Sequence, residues 1–320
     1  MKRWLFLVVI VAVCAGALLL AERQKAQTHV GPQALLGLIA DTEQEMSRVP
    51  ARLTRISDEQ EIRIGDEMAQ RYVAEIEAAK TKDPKNGDDR LIEAYVERVG
   101  EKVSLYAQRK LPYRFHYIPD PNLINAFALP GGHVFIGRGM LDLMTTEDQL
   151  ATVLGHEVEH IDLRHCAERV QLEAHMRKLH LEEINGLVSV PIDLFKTGYS
   201  KDQELDADRA GTRLAMMASY SPDGAISMFR MLDKVCKEET RAPRTSRTPQ
   251  QEVSQLARET LKGYFETHPQ PEERIEQIER LERGSKTPIP AQRRLDTNVM
   301  AVLHRDLQGV VNETPSRVLQ

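Results

Sequence analysis

The chain has 320 residues, 41% hydrophobic and 28% charged, a composition that belongs to a folded protein and excludes whole-chain disorder. Lys and Arg total 43 against 48 Asp and Glu, and this formal charge of −5 argues against a protein built to grip nucleic-acid phosphates. Three cysteines (Cys14, Cys166 and Cys236) are too few for a disulfide scaffold and form no C-x-x-C pair.

Met1-Lys2-Arg3 precedes an apolar run from Trp4 to Ala21, which Glu22, Arg23 and Lys25 end. A basic start followed by a long apolar stretch reads as an export signal, either cleaved or kept as a single membrane anchor. The run of 18 residues lies at the border between the two, because about 20 residues span a bilayer. Residues 1–21 therefore predict an exported chain, periplasmic or anchored with its body facing the periplasm or exterior. Residues 22–55, with Gly31, Pro32 and Pro50, read as a linker.

The body follows as residues 56–285. Ser57 with Gln60 is a helix-start pair, and the helix it opens runs to about Lys80. A turn over 82–89 leads into a second helix from about Asp89 to Lys110, with Leu91, Tyr95, Val96, Val99 and Val103 in helical spacing. Tyr113 to Ile118 alternates like a strand. Asn125 to Leu129 and His133 to Ile136 flank Pro130-Gly131-Gly132 and predict a small antiparallel sheet. Thr146 with Gln149 caps the next helix, and helices separated by turns continue to about Gly284. The fold class is α+β, mainly helical, with residues 286–320 as a tail.

His156-Glu157-Val158-Glu159-His160 falls inside the capped helix. At about 100° per residue, two histidines four apart share one face, so their imidazoles can hold a metal with Glu157 beside them. Two residues compete as third ligand. His165 lies roughly 180° from His156 if the helix continues, and Ile161 to Arg164 has no glycine to turn the chain. Spacing disfavours it as a ligand and leaves it on the helix surface or behind the ligands. Glu204 opens a later helix, and Asp208, one turn on, shares its face and can orient a ligand imidazole.

These blocks recur in a known order. Ile56-Ser57 with Glu61 to Gly65, Tyr95 to Gly100, Asn125 to Phe135, Leu154 to His160, Glu204 to Asp208, and Thr267-His268-Pro269 with Arg274-Ile275 run from 56 to 283. Over that span the chain resembles the M48 metallopeptidases, zinc gluzincins related to the CAAX-processing protease, in their soluble periplasmic-type branch. The resemblance implies a zincin-like domain with one zinc ion held by His156, His160 and Glu204. It implies Glu157 as general base in peptide-bond hydrolysis. His268 and Arg274 are its candidates for stabilising the oxyanion, with His268 alternatively a fourth metal ligand or a helix-capping turn residue.

An extended substrate can add main-chain hydrogen bonds to a free strand edge, and Asn125, Ala126, Phe127 and Ala128 are the candidates. The expected partners are protein or peptide substrates, with the membrane added if residues 1–21 stay attached, and no nucleic acid. The activity expected is hydrolysis of envelope or misfolded proteins. A chaperone or assembly factor using the same cleft with little proteolysis is the alternative. If the body is exported, Cys166 and Cys236 can pair.

Overall fold

Ser57 and Gln60 exchange hydrogen bonds, Ser57 N–H to Gln60 Oε1 at 2.8 Å and Gln60 N–H to Ser57 Oγ at 3.2 Å. Helix α1, Asp58–Lys80, starts on this reciprocal cap. The structure is a computed structural model that describes residues 56–80, 86–176, 192–196, 198–239, 271–285, 288–299 and 301–303. The N-terminal run, the linker and His268 lie outside the described residues. Among those described, no helix is long and apolar enough to cross a membrane.

Helix α2, Asn86–Ser104, buries Ile92, Tyr95, Val96, Val99 and Val103, while Leu91 stays exposed. It ends six residues short of the sequence expectation. The N–H groups of Gln108 and Arg109 donate to the Asp162 carboxylate at 2.8 and 2.7 Å, so these donors are lost to any continued helix.

Three strands follow: β1, Arg114–Ile118; β2, Ala126–Leu129; and β3, His133–Gly137. The predicted hairpin forms, with β2 antiparallel to β3 across a turn in which Gly131 and Gly132 take φ of 78° and 119°. Side chains other than glycine rarely adopt such angles. The sheet is mixed, however, rather than wholly antiparallel, because β1 pairs parallel to β3 in the order β1-β3-β2. The chain from Pro119 to Asn125 crosses over, so β1 and β2 flank β3 from opposite sides. One face carries Phe127 and Phe135, stacked at 5.1 Å and packed edge-on by Tyr72 of α1. Strand alternation puts the small side chains of Ala126 and Ala128 on the other face.

After the short helix α3, Arg138–Asp142, comes α4, Glu147–Asp162, with Thr146 and Gln149 forming the predicted capping box. Every residue of α4 except Glu147 and Val153 is buried. Leu150, Leu154, Val158 and Ile161 are fully buried, each contributing on the order of 2 kcal/mol by leaving water. Helices α5, His165–Met176; α6, Asp193–Lys196; α7, Lys201–Met217; α8, Asp223–Glu239; and α9, Pro271–Gly284, follow among the described residues. Ser200 and Gln203 form a third capping box, at the start of α7.

Two glycines set the crossing of α4 and α7. A Cβ on Gly211 would sit 2.5 Å from the His156 nitrogen, and one on Gly155 would sit 2.6 Å from the Gly211 carbonyl oxygen. The two backbones touch because neither residue has a side chain, and that contact aligns the acidic first turns of α7 with the histidines of α4.

The packed body extends beyond residue 285. Leu295, Val299, Val302 and Leu303 are buried, Arg294 bridges to Thr146, and the Leu303 carbonyl accepts from Arg138 at 2.9 Å. Asp148, in the first turn of α4, accepts the N–H groups of both Ser221 and Arg293. A segment with little helical periodicity thus serves as a lid on the N-terminus of the central helix. Cys166 is a free, buried thiol lying 3.2 Å from the Tyr199 hydroxyl, and the Cys236 side chain lies outside the described residues.

Candidate metal centre

A buried helix carrying two histidines and two glutamates pays a desolvation penalty unless those groups meet partners. His156 Nε2 and His160 Nε2 lie 3.0 Å apart. Glu204, entering from the first turn of α7, puts Oε2 3.5 Å from His156 Nε2 and Oε1 3.7 Å from His160 Nε2. These three residues are the single group of this kind among the described residues whose ligand atoms converge for a metal. A tetrahedral ion about 2.0–2.2 Å from each donor spaces its ligands by roughly 3.3–3.6 Å, so the observed triangle brackets the required size. The charge fits as well. Burial disfavours a charged His156, yet Asp208 and Glu204 outweigh it and hold the imidazolium up at about 10. The cluster thus calls for a cation at its centre.

Each imidazole is held from behind. His156 Nδ1 lies 2.9 Å from Asp208 Oδ1, as the one-turn spacing from Glu204 predicts. Burial works against charge on Asp208, but Arg274 and His156 hold its carboxyl below the usual range. Arg274 donates from Nε and a terminal nitrogen to the two Asp208 oxygens, and its guanidinium lies 4.3 Å from the Phe229 ring centre. The sequence makes Arg274 a candidate for oxyanion stabilisation. The structure instead turns its buried side chain onto Asp208, where it steadies the carboxylate.

His160 has neighbours that local sequence does not reveal. Its Nδ1 is 3.0 Å from His165 Nδ1, and the Tyr199 ring stacks on it at 4.0 Å. Tyr199 also donates its N–H to Glu204 Oε1 at 2.8 Å, and Arg169 covers its other face at 3.9 Å. No motif points to Tyr199. Its position just before the Ser200 cap of the ligand helix is the only local signal. His165 reaches His160 because the chain does turn without a glycine: Arg164 adopts φ of 70°.

Glu157 lines a small cavity of about 30 Å³ that Ala126, Met140, Val153, Met228, Phe229 and Leu232 line together with His156 and Arg274. Burial pushes its carboxyl up to about 7, and the nearby Glu204 and Asp208 reinforce that against His156 and Arg274. Among the expected edge-strand residues, β2 does lie at the sheet edge. Gly137 N–H donates to the Asn125 carbonyl, so Asn125 and Phe127 point their main-chain groups at β3 and Ala126 and Ala128 point theirs outward. The Cys166 thiol approaches the Ala128 carbonyl at 3.7 Å, which leaves Ala126, itself buried beside the cavity, as the other outward position among the described residues. The Asn125 side chain donates to the Lys196 carbonyl at 3.2 Å and ties α6 to the strand.

The family model for peptidase family M48 matches residues 90–282, which hold the helix of the two histidines, Glu204, Asp208 and Arg274. The chain belongs to peptidase family M48. Similar curated proteins include the mitochondrial metalloendopeptidase OMA1 of Schizosaccharomyces pombe, 32% identical over 150 residues, which are 43% of this chain and 43% of that one. OMA1 of Bos taurus is 35% identical over 126 residues, 32% of this chain and 23% of its own length. The β-barrel assembly-enhancing protease of Escherichia coli is 25% identical over 190 residues, 53% of this chain and 38% of its own. The matched stretch spans less than half of each relative. In this M48 chain the triangle of His156, His160 and Glu204, the residues packed behind it and Glu157 all fall within the family's span.

Proposed function

We propose that this M48 chain is a zinc-dependent endopeptidase whose ligands are His156, His160 and Glu204. The observation that carries the reading is the closed triangle of two imidazoles and a carboxylate with Glu157 in the wall of a mainly apolar cavity. Zinc bound there supplies a Lewis acid that polarises a peptide carbonyl and activates water. Glu157, with its carboxyl near 7, is suited to accept the proton of the attacking water and deliver it to the departing amine. The outward N–H and C=O of Ala126 bind the extended substrate by adding it to the edge of β2. The apolar lining beside Glu157 receives one of its side chains.

The basic start and apolar run of residues 1–25 support a chain exported or anchored with its body outside the cytoplasm. Envelope or misfolded proteins are then its substrates, in keeping with relatives named for β-barrel assembly. Those names also favour a second reading, an assembly factor that uses the same cleft with little proteolysis. Casein degradation by purified protein, wild type against Glu157→Gln, with zinc content measured on both, separates these. Bound zinc in both and cleavage only by wild type is the expected result. Equal cleavage by both overturns Glu157 as the base, and zinc without cleavage in either favours the assembly factor.

A further inference from the structure

We propose that His165 is a positioning residue for the ligand His160, and that the corner at Arg164 serves to bring it there. The proposal rests on the metal-site reading above. Had α4 run on, His165 would lie about 140° around the helix from His160. The helix instead ends at Asp162, Arg164 takes φ of 70°, and α5 starts at His165. A left-handed residue other than glycine persists only where its surroundings hold it, and such residues cluster at functional sites.

Arg164 is held on every side. Its guanidinium contacts Asp58 and the buried Glu61 of α1, and the Ile56 carbonyl at 3.4 Å. Its N–H donates to the Ile161 carbonyl at 3.0 Å, and its own carbonyl accepts the Glu168 N–H at 2.9 Å as the first bond of α5. The outcome is a buried His165 with Nδ1 3.0 Å from His160 Nδ1.

The chemistry of the pair follows from the ligand role. An imidazole that binds a metal through Nε2 is neutral and carries its proton on Nδ1, so it needs an acceptor there. For His156 the group facing Nδ1, at 2.9 Å, is the Asp208 carboxylate. For His160 it is the Nδ1 lone pair of a neutral His165, whose own proton then sits on Nε2. A neutral acceptor fixes the His160 tautomer without adding another buried negative charge to Glu157, Glu204 and Asp208. The two ligands are therefore supported by different chemistry, one anionic and one neutral.

The test measures zinc affinity of the full-length protein by competition with a chromogenic chelator, alongside the melting temperature of the metal-free form. His165→Phe keeps a ring but accepts no hydrogen bond, and it is expected to weaken zinc binding by about 10–100-fold. His165→Asn offers an oxygen close to the former Nδ1 and is expected to stay within about threefold of wild type, a rescue that a packing role does not give. Arg164→Val, which resists the left-handed conformation, should lose affinity like His165→Phe, whereas Arg164→Gly should retain it. Wild-type affinity in His165→Phe, or no rescue by Asn, overturns the role of His165. Equal behaviour of the two Arg164 variants overturns that of the corner. His160→Ala is the control: zinc held there at wild-type affinity overturns the metal site itself.

Discussion

Arg274 grips Asp208 through two hydrogen bonds of 2.6 Å, and both side chains are only 1% exposed. Asp208 in turn reaches His156, so α9 braces α4 through two charges that water cannot reach. Arg274→Met leaves that carboxylate buried without its cation, which is expected to destabilise the fold by about 3–5 kcal/mol in urea unfolding. The double variant with Asp208→Asn should recover part of the loss, because the stranded charge is gone. Additive losses would mean that the two residues act separately.

The glycine crossing is expected to tolerate no methyl group. Gly211→Ala drives a Cβ to 2.5 Å from the His156 backbone nitrogen, and neither backbone can yield without moving His156. Overpacking of this kind costs roughly 1–3 kcal/mol. The sharper expectation is a loss of zinc stoichiometry larger than the fall in melting temperature suggests, read by metal analysis of the folded fraction.

Acid should weaken the fold from the far end of the sheet. Burial of His116 on β1, with the charges of His133 on β3 and Arg114, holds its imidazole at about 4 against an ordinary 6.5. Between those values the unfolded chain takes up a proton that the folded one refuses, so stability falls as pH drops from 6.5 to 4. Asp66 of α1, held below its usual range against burial by bonds to His133 and Arg114, adds to the loss at lower pH as it protonates. The His116 share is roughly 2 kcal/mol once its partial exposure is discounted. His116→Phe keeps the stacking on Phe135 and should flatten this part of a stability-against-pH curve measured in urea.

Substrate addition to β2 gives a fourth expectation. Ala126→Pro removes an N–H that points away from β3, so the ladder keeps its bonds while the free edge loses a donor. kcat/KM on casein peptides should drop at least about tenfold with zinc content unchanged. An unaltered rate would mean that the substrate is held elsewhere.

Much of the site was legible because its chemistry is local. Capping boxes at Ser57 and Thr146 need only residues three apart, and the alignments of His156 with His160 and of Glu204 with Asp208 need only helical periodicity. What sequence missed depends on distant partners. Helix α2 stops at Ser104 because Asp162, more than fifty residues later, takes two of its potential donors. The corner at Arg164 is stabilised by Asp58 and Glu61, more than a hundred residues earlier, so a search for a turn-forming glycine finds nothing. The parallel pairing of β1 and the burial of Leu295 and Val299 likewise rest on contacts that no periodicity encodes.

The bond from Arg293 to Asp148 has a consequence for the order of synthesis. The helix that carries both histidines is closed at its start by residues about 145 positions later, and Asp208 waits on Arg274 for its counter-charge. A growing chain therefore emerges from the ribosome with its cutting machinery unassembled until Arg274 and Arg293 have been made. A protease built this way cannot attack its neighbours while it is still being made.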